Sequence, residues 1–80
     1  MKFKEGEFEE MIISRLKGVT NEDGVVPKRG LLEVQNDILT VVRRKGRHES
    51  LLELSSIIHA CLLKVGMTTN IEEILDKWDR

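Results

Sequence analysis

Apolar residues recur along this chain at the spacing of helices. Phe8, Met11, Ile12 and Leu16 stand at i, i+3, i+4 and i+8 and predict a first helix from about Glu5 to Lys17. Glu5, Glu7, Glu9 and Glu10 crowd its start, and Arg15 and Lys17 its end, an order that complements the helix dipole. Gly18 is the expected stop. A second stripe, Leu31, Val34, Ile38, Val41 and Val42, predicts a helix from about Leu31 to Lys45, closed by Gly46. Leu32 and Leu39 widen that stripe beyond what a minor surface helix needs.

The longest apolar run, Ser50 to Met67, predicts the central helix. Leu51, Leu54, Ile57, Ile58, Cys61, Leu62 and Val65 share one wide arc, while Leu52 and Leu63 fall on nearly the other side. Such a helix suits burial on two sides. Ser50 with Glu53 reads as a capping box that starts it, and Gly66 ends it. The turn before it is short, so the second and third helices form an antiparallel hairpin. Thr69 or Asn70 caps a last helix, with Glu72 and Glu73 in its first turn and Ile71, Ile74, Leu75 and Trp78 on its apolar face. Between the first two helices, Asn21, Asp23, Gly24, Pro27 and Gly30 mark Val19 to Gly30 as a loop of about 12 residues. Val25 and Val26 anchor that loop or form a short extended piece.

The expected fold is therefore all-α: four short helices with a central antiparallel hairpin, in one domain over residues 1–80. A chain of this size buries only about 60% of its unfolded surface. Its apolar arcs are broad for so few intrachain partners, so the pattern predicts a homodimeric helix bundle. Leu31, Val34, Ile38, Leu54, Ile57, Ile58, Cys61 and Leu62 are the expected contacts to a second copy or to a protein partner.

Composition narrows the classes. The chain is 40% hydrophobic and 34% charged, the balance of a water-soluble globular domain. A net charge of −1 supplies no global attraction to nucleic acid or membrane. No apolar segment reaches the ~20 residues a membrane span needs, Lys64 and His59 interrupt the best candidate, and the charged N-terminus has no apolar signal region. The single cysteine excludes an intrachain disulfide and points to a reducing, cytoplasmic setting.

The segments LLEVQNDIL, RKGRHESL, LELSSIIHACLLKVG and NIEEILDKW follow one another in an order that resembles a known family. From about Leu31 to Asp79 the chain is similar to the all-α nucleoside triphosphate pyrophosphohydrolases, the MazG-like superfamily that includes phosphoribosyl-ATP pyrophosphatase. That family carries E-E-x-x-E on one helix, a short charged turn, then E-x-x-D leading into an apolar run ended by Gly. The resemblance implies Mg²⁺ held by carboxylates against a triphosphate. Here Leu32, Glu33 and Asn36 stand at the three glutamate positions, Glu53 at the fourth acidic position and Ser56 at the aspartate. Glu33 and Glu53 would be the metal ligands of an enzyme of this kind, with Asn36 and Asp37 assisting. Asp37 lies one residue out of register, about 100° round the helix.

Other side chains invite chemistry. Arg43, Arg44, Lys45, Arg47 and His48 cluster at the hairpin turn and could meet a phosphate of a nucleotide or of a nucleic acid. Cations at a helix C-terminus also serve its dipole. With three aromatics and no Tyr, a base-stacking platform is disfavoured, and the apolar helix after the turn does not suit a DNA groove. His59 lies between apolar sectors and reads as an interior or interface histidine. Cys61 reads as packing, since it diverges from His59 by about 200°. Trp78 reads as a lid that finishes the core.

Two functions from different classes result. One is a non-catalytic helical interaction or regulatory protein, homodimeric and without a cofactor, that binds a protein partner. The other is a divergent Mg²⁺-dependent pyrophosphohydrolase, with phosphate contacts from Arg43, Arg44, Lys45 and Arg47. Nucleic-acid binding through the basic turn ranks below both.

Overall fold

A computed structural model describes residues 6–46, 48–64 and 68–78. Four helices make up almost all of it: α1 over Glu7–Val19, α2 over Lys28–Lys45, α3 over Glu49–Leu62 and α4 over Ile71–Trp78. The chain is all-α apart from two short strands, β1 at Val25–Val26 and β2 at Thr69–Asn70. These pair antiparallel, Val25 with Asn70 and Val26 with Thr69.

The helices pack in chain order, α1 on α2, α2 on α3, α3 on α4. Their apolar stripes meet in one core of Ile12, Leu16, Leu31, Val34, Ile38, Leu51, Leu54, Ile58, Ile74 and Trp78, all essentially sealed from solvent. Burial of this kind, roughly 1.5–3 kcal/mol for each large side chain, is the main favourable term in the fold.

Several element ends differ from the sequence expectation, each for a local reason. α1 does not stop at Gly18 but continues through Val19. It ends where Thr20 turns extended and its hydroxyl donates to the Leu16 carbonyl at 2.7 Å. α2 starts three residues earlier than the apolar stripe, directly after Pro27. Proline suits that place, because its missing N–H has no helical acceptor there. Gly30 is thus not a loop breaker. It is buried in the first turn of α2, where a Cβ would lie 2.8 Å from Cβ and Cγ2 of Val19. Glycine at 30 lets α1 and α2 meet where they converge.

The loop that remains is tied down by side chains. Asn21 Oδ1 accepts from the N–H groups of Asp23 at 2.9 Å and Val25 at 3.0 Å. Gly24 follows at φ 80°, a conformation that favours glycine. Its carbonyl accepts from Ile71 N–H at 2.8 Å, so the turn also fixes the start of α4. Asn70 caps α4 through Oδ1, which accepts from Glu72 N–H at 3.0 Å.

The capping box expected at Ser50 does not form. His48 occupies the N-cap of α3 without a side-chain capping bond, and Ser50 lies inside the first turn. The expected stop at Gly66 lies outside the described residues; α3 ends at Leu62 with Leu63 beyond it. Gly46 does close α2, its N–H donating to the Val42 carbonyl at 3.1 Å.

Candidate functional site

The α2–α3 hairpin has two sides. Asp37 on α2 points to α1, where its Oδ2 accepts from Arg15 Nε at 2.7 Å. Ser50 on α3 points to both outer helices. Its hydroxyl donates to Glu9 of α1, and its carbonyl accepts from Trp78 Nε1 of α4 at 2.9 Å. Lys64 meets Glu73 of α4 at 3.1 Å. So α1 and α4 cover one side.

The other side follows from the helical repeat. On α2, Leu32 and Leu39 lie about 140–160° from Asp37. On α3, Leu52, His59 and the following Leu63 lie about 140–180° from Ser50. No element among the described residues covers these positions, and the exposures agree: Leu32 57%, Leu39 43% and Leu63 68%. Lys28 marks one end of this open side, and Arg43 and Glu49 the other. Between them stand leucines, Gln35, the serines 55 and 56 and His59.

This separates two sets of residues that the sequence pattern had run together. Of the eight expected interface residues, Leu31, Val34, Ile38, Leu54, Ile58 and Cys61 are buried inside the single chain. Ile57 and Leu62 are half-buried against the same core. They form the covered side and the seam, and are not presented to a partner. The apolar residues left outside are Leu32, Leu39 and Leu63, with Met11 (44%) on α1. Leu63 stood in the second apolar sector of α3 and Leu32 and Leu39 in the widened stripe of α2, whereas Met11 was expected on the buried face of α1 and lies outside it.

The residues assigned by resemblance do not converge. Glu33, Asn36 and Glu53 are exposed and Asp37 is half-buried. Arg15 sits among the carboxylates of α2. Its hydrogen bond to Asp37, the charge of Asp37 and, more weakly, that of Glu33 raise the guanidinium pKa above its ordinary value. A protein cation thus stands beside two of the residues a metal would need. A shallow groove along the first turns of α3 is lined by Glu49, Ser50, Leu52, Glu53 and Ser56; Glu33 and Asp37 are not part of it. No group of three His, Cys, Asp or Glu residues that could hold a metal ion exists among the described residues.

Arg43, Arg44 and Lys45 are exposed on the last turn of α2, while Arg47 lies outside the described residues. His59 is exposed and is not an interior histidine: the apolar sectors beside it leave its own direction open. Cys61 is buried, as packing requires. Trp78 is sealed in the core and does finish it. No helix of the described residues is long and apolar enough to cross a membrane.

One polar cluster had no signal in the sequence. Glu9 is only 6% exposed. Its Oε2 accepts from the Ser50 hydroxyl and lies 3.9 Å from His48 Nδ1, and the His48 ring stands edge-on to Phe8 at 5.2 Å. With the Trp78–Ser50 bond it ties α1, α3 and α4 together near the start of α3. These are long-range contacts between unlike elements, which periodicity along one helix does not reveal.

Lys64, just after α3, and Glu73 and Lys77 of α4 form a surface ion group, with Glu73 Oε1 shared at 3.1 and 3.4 Å. The hydrogen bond from Lys64, then its charge, lowers the Glu73 pKa, with a smaller contribution from Lys77. The same bond raises that of Lys64.

Comparison of the chain with protein-family models, curated proteins and solved structures finds no match.

Proposed function

We propose that the chain is a small non-catalytic interaction protein that regulates a partner by docking the open side of its helical hairpin onto a protein surface. One observation carries this reading: among the described residues, three of the four large exposed hydrophobic side chains lie on one side of one hairpin. Single exposed leucines are ordinary on a protein surface. Leucines aligned on an uncovered helical layer, next to half-buried Leu52, make a continuous apolar surface of the kind used for protein contact. The carboxylates support the same reading. A pyrophosphohydrolase needs several of them on Mg²⁺ together with substrate phosphates, whereas Asp37 is engaged with Arg15.

The test has two arms. The first is titration of Mg²⁺ with a nonhydrolysable nucleoside triphosphate, followed by a pyrophosphate-release assay. No binding heat and no release are expected. In Mg²⁺ the Glu33→Gln/Glu53→Gln protein should melt with the natural one. Turnover abolished by that double substitution overturns the reading in favour of the pyrophosphohydrolase. The second arm uses an apolar fluorescent dye on dilute protein. It should bind the natural chain and fail to bind Leu32→Glu/Leu39→Glu.

A further inference from the structure

We infer that a second copy of this chain covers the open side of the hairpin, so that Leu32, Leu39, Leu52 and Leu63 of two chains pack in one isologous interface. The inference rests on the docking reading and names its occupant.

Charge argues for self-association. An isologous contact brings each patch against its own image, so a patch rich in one charge repels itself. Over the middle of this side the described residues present leucines, the amides of Gln35 and Asn36, serines and one histidine. Lys28 and Arg43 of α2 and Glu49 and Glu53 of α3 stand at its rim, charges of both signs that water and salt screen. Other charges lie elsewhere, at the acidic start of α1, the basic tip of the hairpin and the ion group that joins Lys64 to α4. A patch with an uncharged middle and a rim of both signs, in a chain that is 34% charged, does not repel its own image and fits its own copy better than a strongly charged partner.

Size agrees. The 18 residues of α2 span about 27 Å, and two helices side by side, each about 10 Å across, give a flat footprint of about 500 Å². Interdigitating side chains bury more accessible surface than the flat footprint, toward the ~800 Å² per partner of a standard stable interface. Two such layers stacked make a four-helix centre, with α1 and α4 of each chain outside it. Ser55 and Ser56, small residues midway along α3, let the layers approach closely.

Light scattering across a concentration series tests this with the full chain. The natural protein should show twice the 9.2 kDa chain mass at tens of micromolar. Leu32→Glu/Leu39→Glu should halve that mass while its far-ultraviolet circular dichroism stays helical. Leu63→Glu, at the edge of the patch, serves as the milder variant should the double one unfold, and should weaken the dimer several-fold. Met11→Glu, on α1, should leave it intact. A natural protein of single-chain mass throughout overturns the inference, as does a dimer indifferent to the open-side variants or broken by Met11→Glu. A monomer that still binds the apolar dye removes the second copy and leaves docking to another protein. Pyrophosphate release removes the docking reading whatever the mass.

Discussion

The side of the hairpin that meets α1 and α4 and the side that meets solvent are made from the same two helices, often from residues two apart. Leu31 is 1% exposed and its neighbour Leu32 is 57% exposed. Asp37 has its partner on α1, while Leu39, two residues on, has none on its side. Hydrophobicity does not distinguish Leu31 from Leu32; the position of the neighbouring helices does. The covered side is completed by directional bonds, with Glu9, Ser50 and Trp78 fixing three helices at one point. On the open side Gln35 Nε2 donates to the Ser55 carbonyl at 3.2 Å, a bond that ties α2 to α3 and reaches no outer helix. The first arrangement is that of a finished core, and the second is that of a surface prepared for contact.

The contrast can be broken most severely from the covered side. Trp78→Ala removes the largest sealed side chain and the donor to the Ser50 carbonyl. It should cost about 3–5 kcal/mol in urea unfolding, and so unfold much of the protein at room temperature. The matching truncation on the open side, Leu32→Ala, should stay within about 0.5 kcal/mol when measured on dilute protein. Equal losses from the two would abolish the distinction.

Ser50→Ala comes next. It leaves the buried Glu9 carboxylate without its hydroxyl donor and should cost about 1–3 kcal/mol by the same measurement. Were Ser50 only a cap for its own helix, Glu9→Ala would add its full effect to Ser50→Ala. Direct contact predicts that the two losses do not add.

Gly30→Ala should cost about 1–3 kcal/mol through the clash with Val19, less the ~1 kcal/mol that alanine gains in helix propensity. Val19→Ala in the same chain should recover part of that loss. No recovery would mean that Gly30 serves something other than the α1–α2 approach.

These positions also show where the sequence was readable. α2 and α3 were legible because each carries several turns of 3.6-residue apolar repeat, and their antiparallel pairing followed from the short turn between them. Gly30 was misread because glycine has one signature in a sequence and two uses, breaking a helix and letting another helix in. The Ser50 box failed because α3 starts earlier, with His48 at the N-cap, so that Ser50 lies inside the first turn and its hydroxyl donates to Glu9 of α1. β1 and β2 are two residues each, too short to show an alternating period. The two apolar sectors of the hairpin were visible, but nothing within a helix says which sector its neighbours will cover. The broader arc went inside, and the narrower one was left outside.

The smallest effect concerns the ion group that joins Lys64 to α4. The lowered Glu73 pKa means that the folded chain favours the carboxylate. This contribution is therefore present above the ordinary carboxyl range and is lost as pH falls through the folded value. The raised Lys64 pKa acts in the opposite direction, its contribution being lost only as pH rises through the folded lysine value. Glu73→Gln should accordingly lower the melting temperature slightly near neutrality and converge with the natural protein in acid. Because these side chains are solvated, high salt should remove most of the difference. A difference that grew toward low pH would contradict the assignment.

Hydroxyl-radical labelling of leucine and methionine side chains, read by mass spectrometry across a protein concentration series, tests the contrast between the two sides most directly. Dilute protein should be labelled at Leu32, Leu39, Leu63 and Met11, and little at Leu31, Leu51 and Leu54. As concentration rises, labelling should fall at Leu32, Leu39 and Leu63 together and persist at Met11. Unchanged labelling of the three leucines, or a fall at Met11 equal to theirs, would contradict the account.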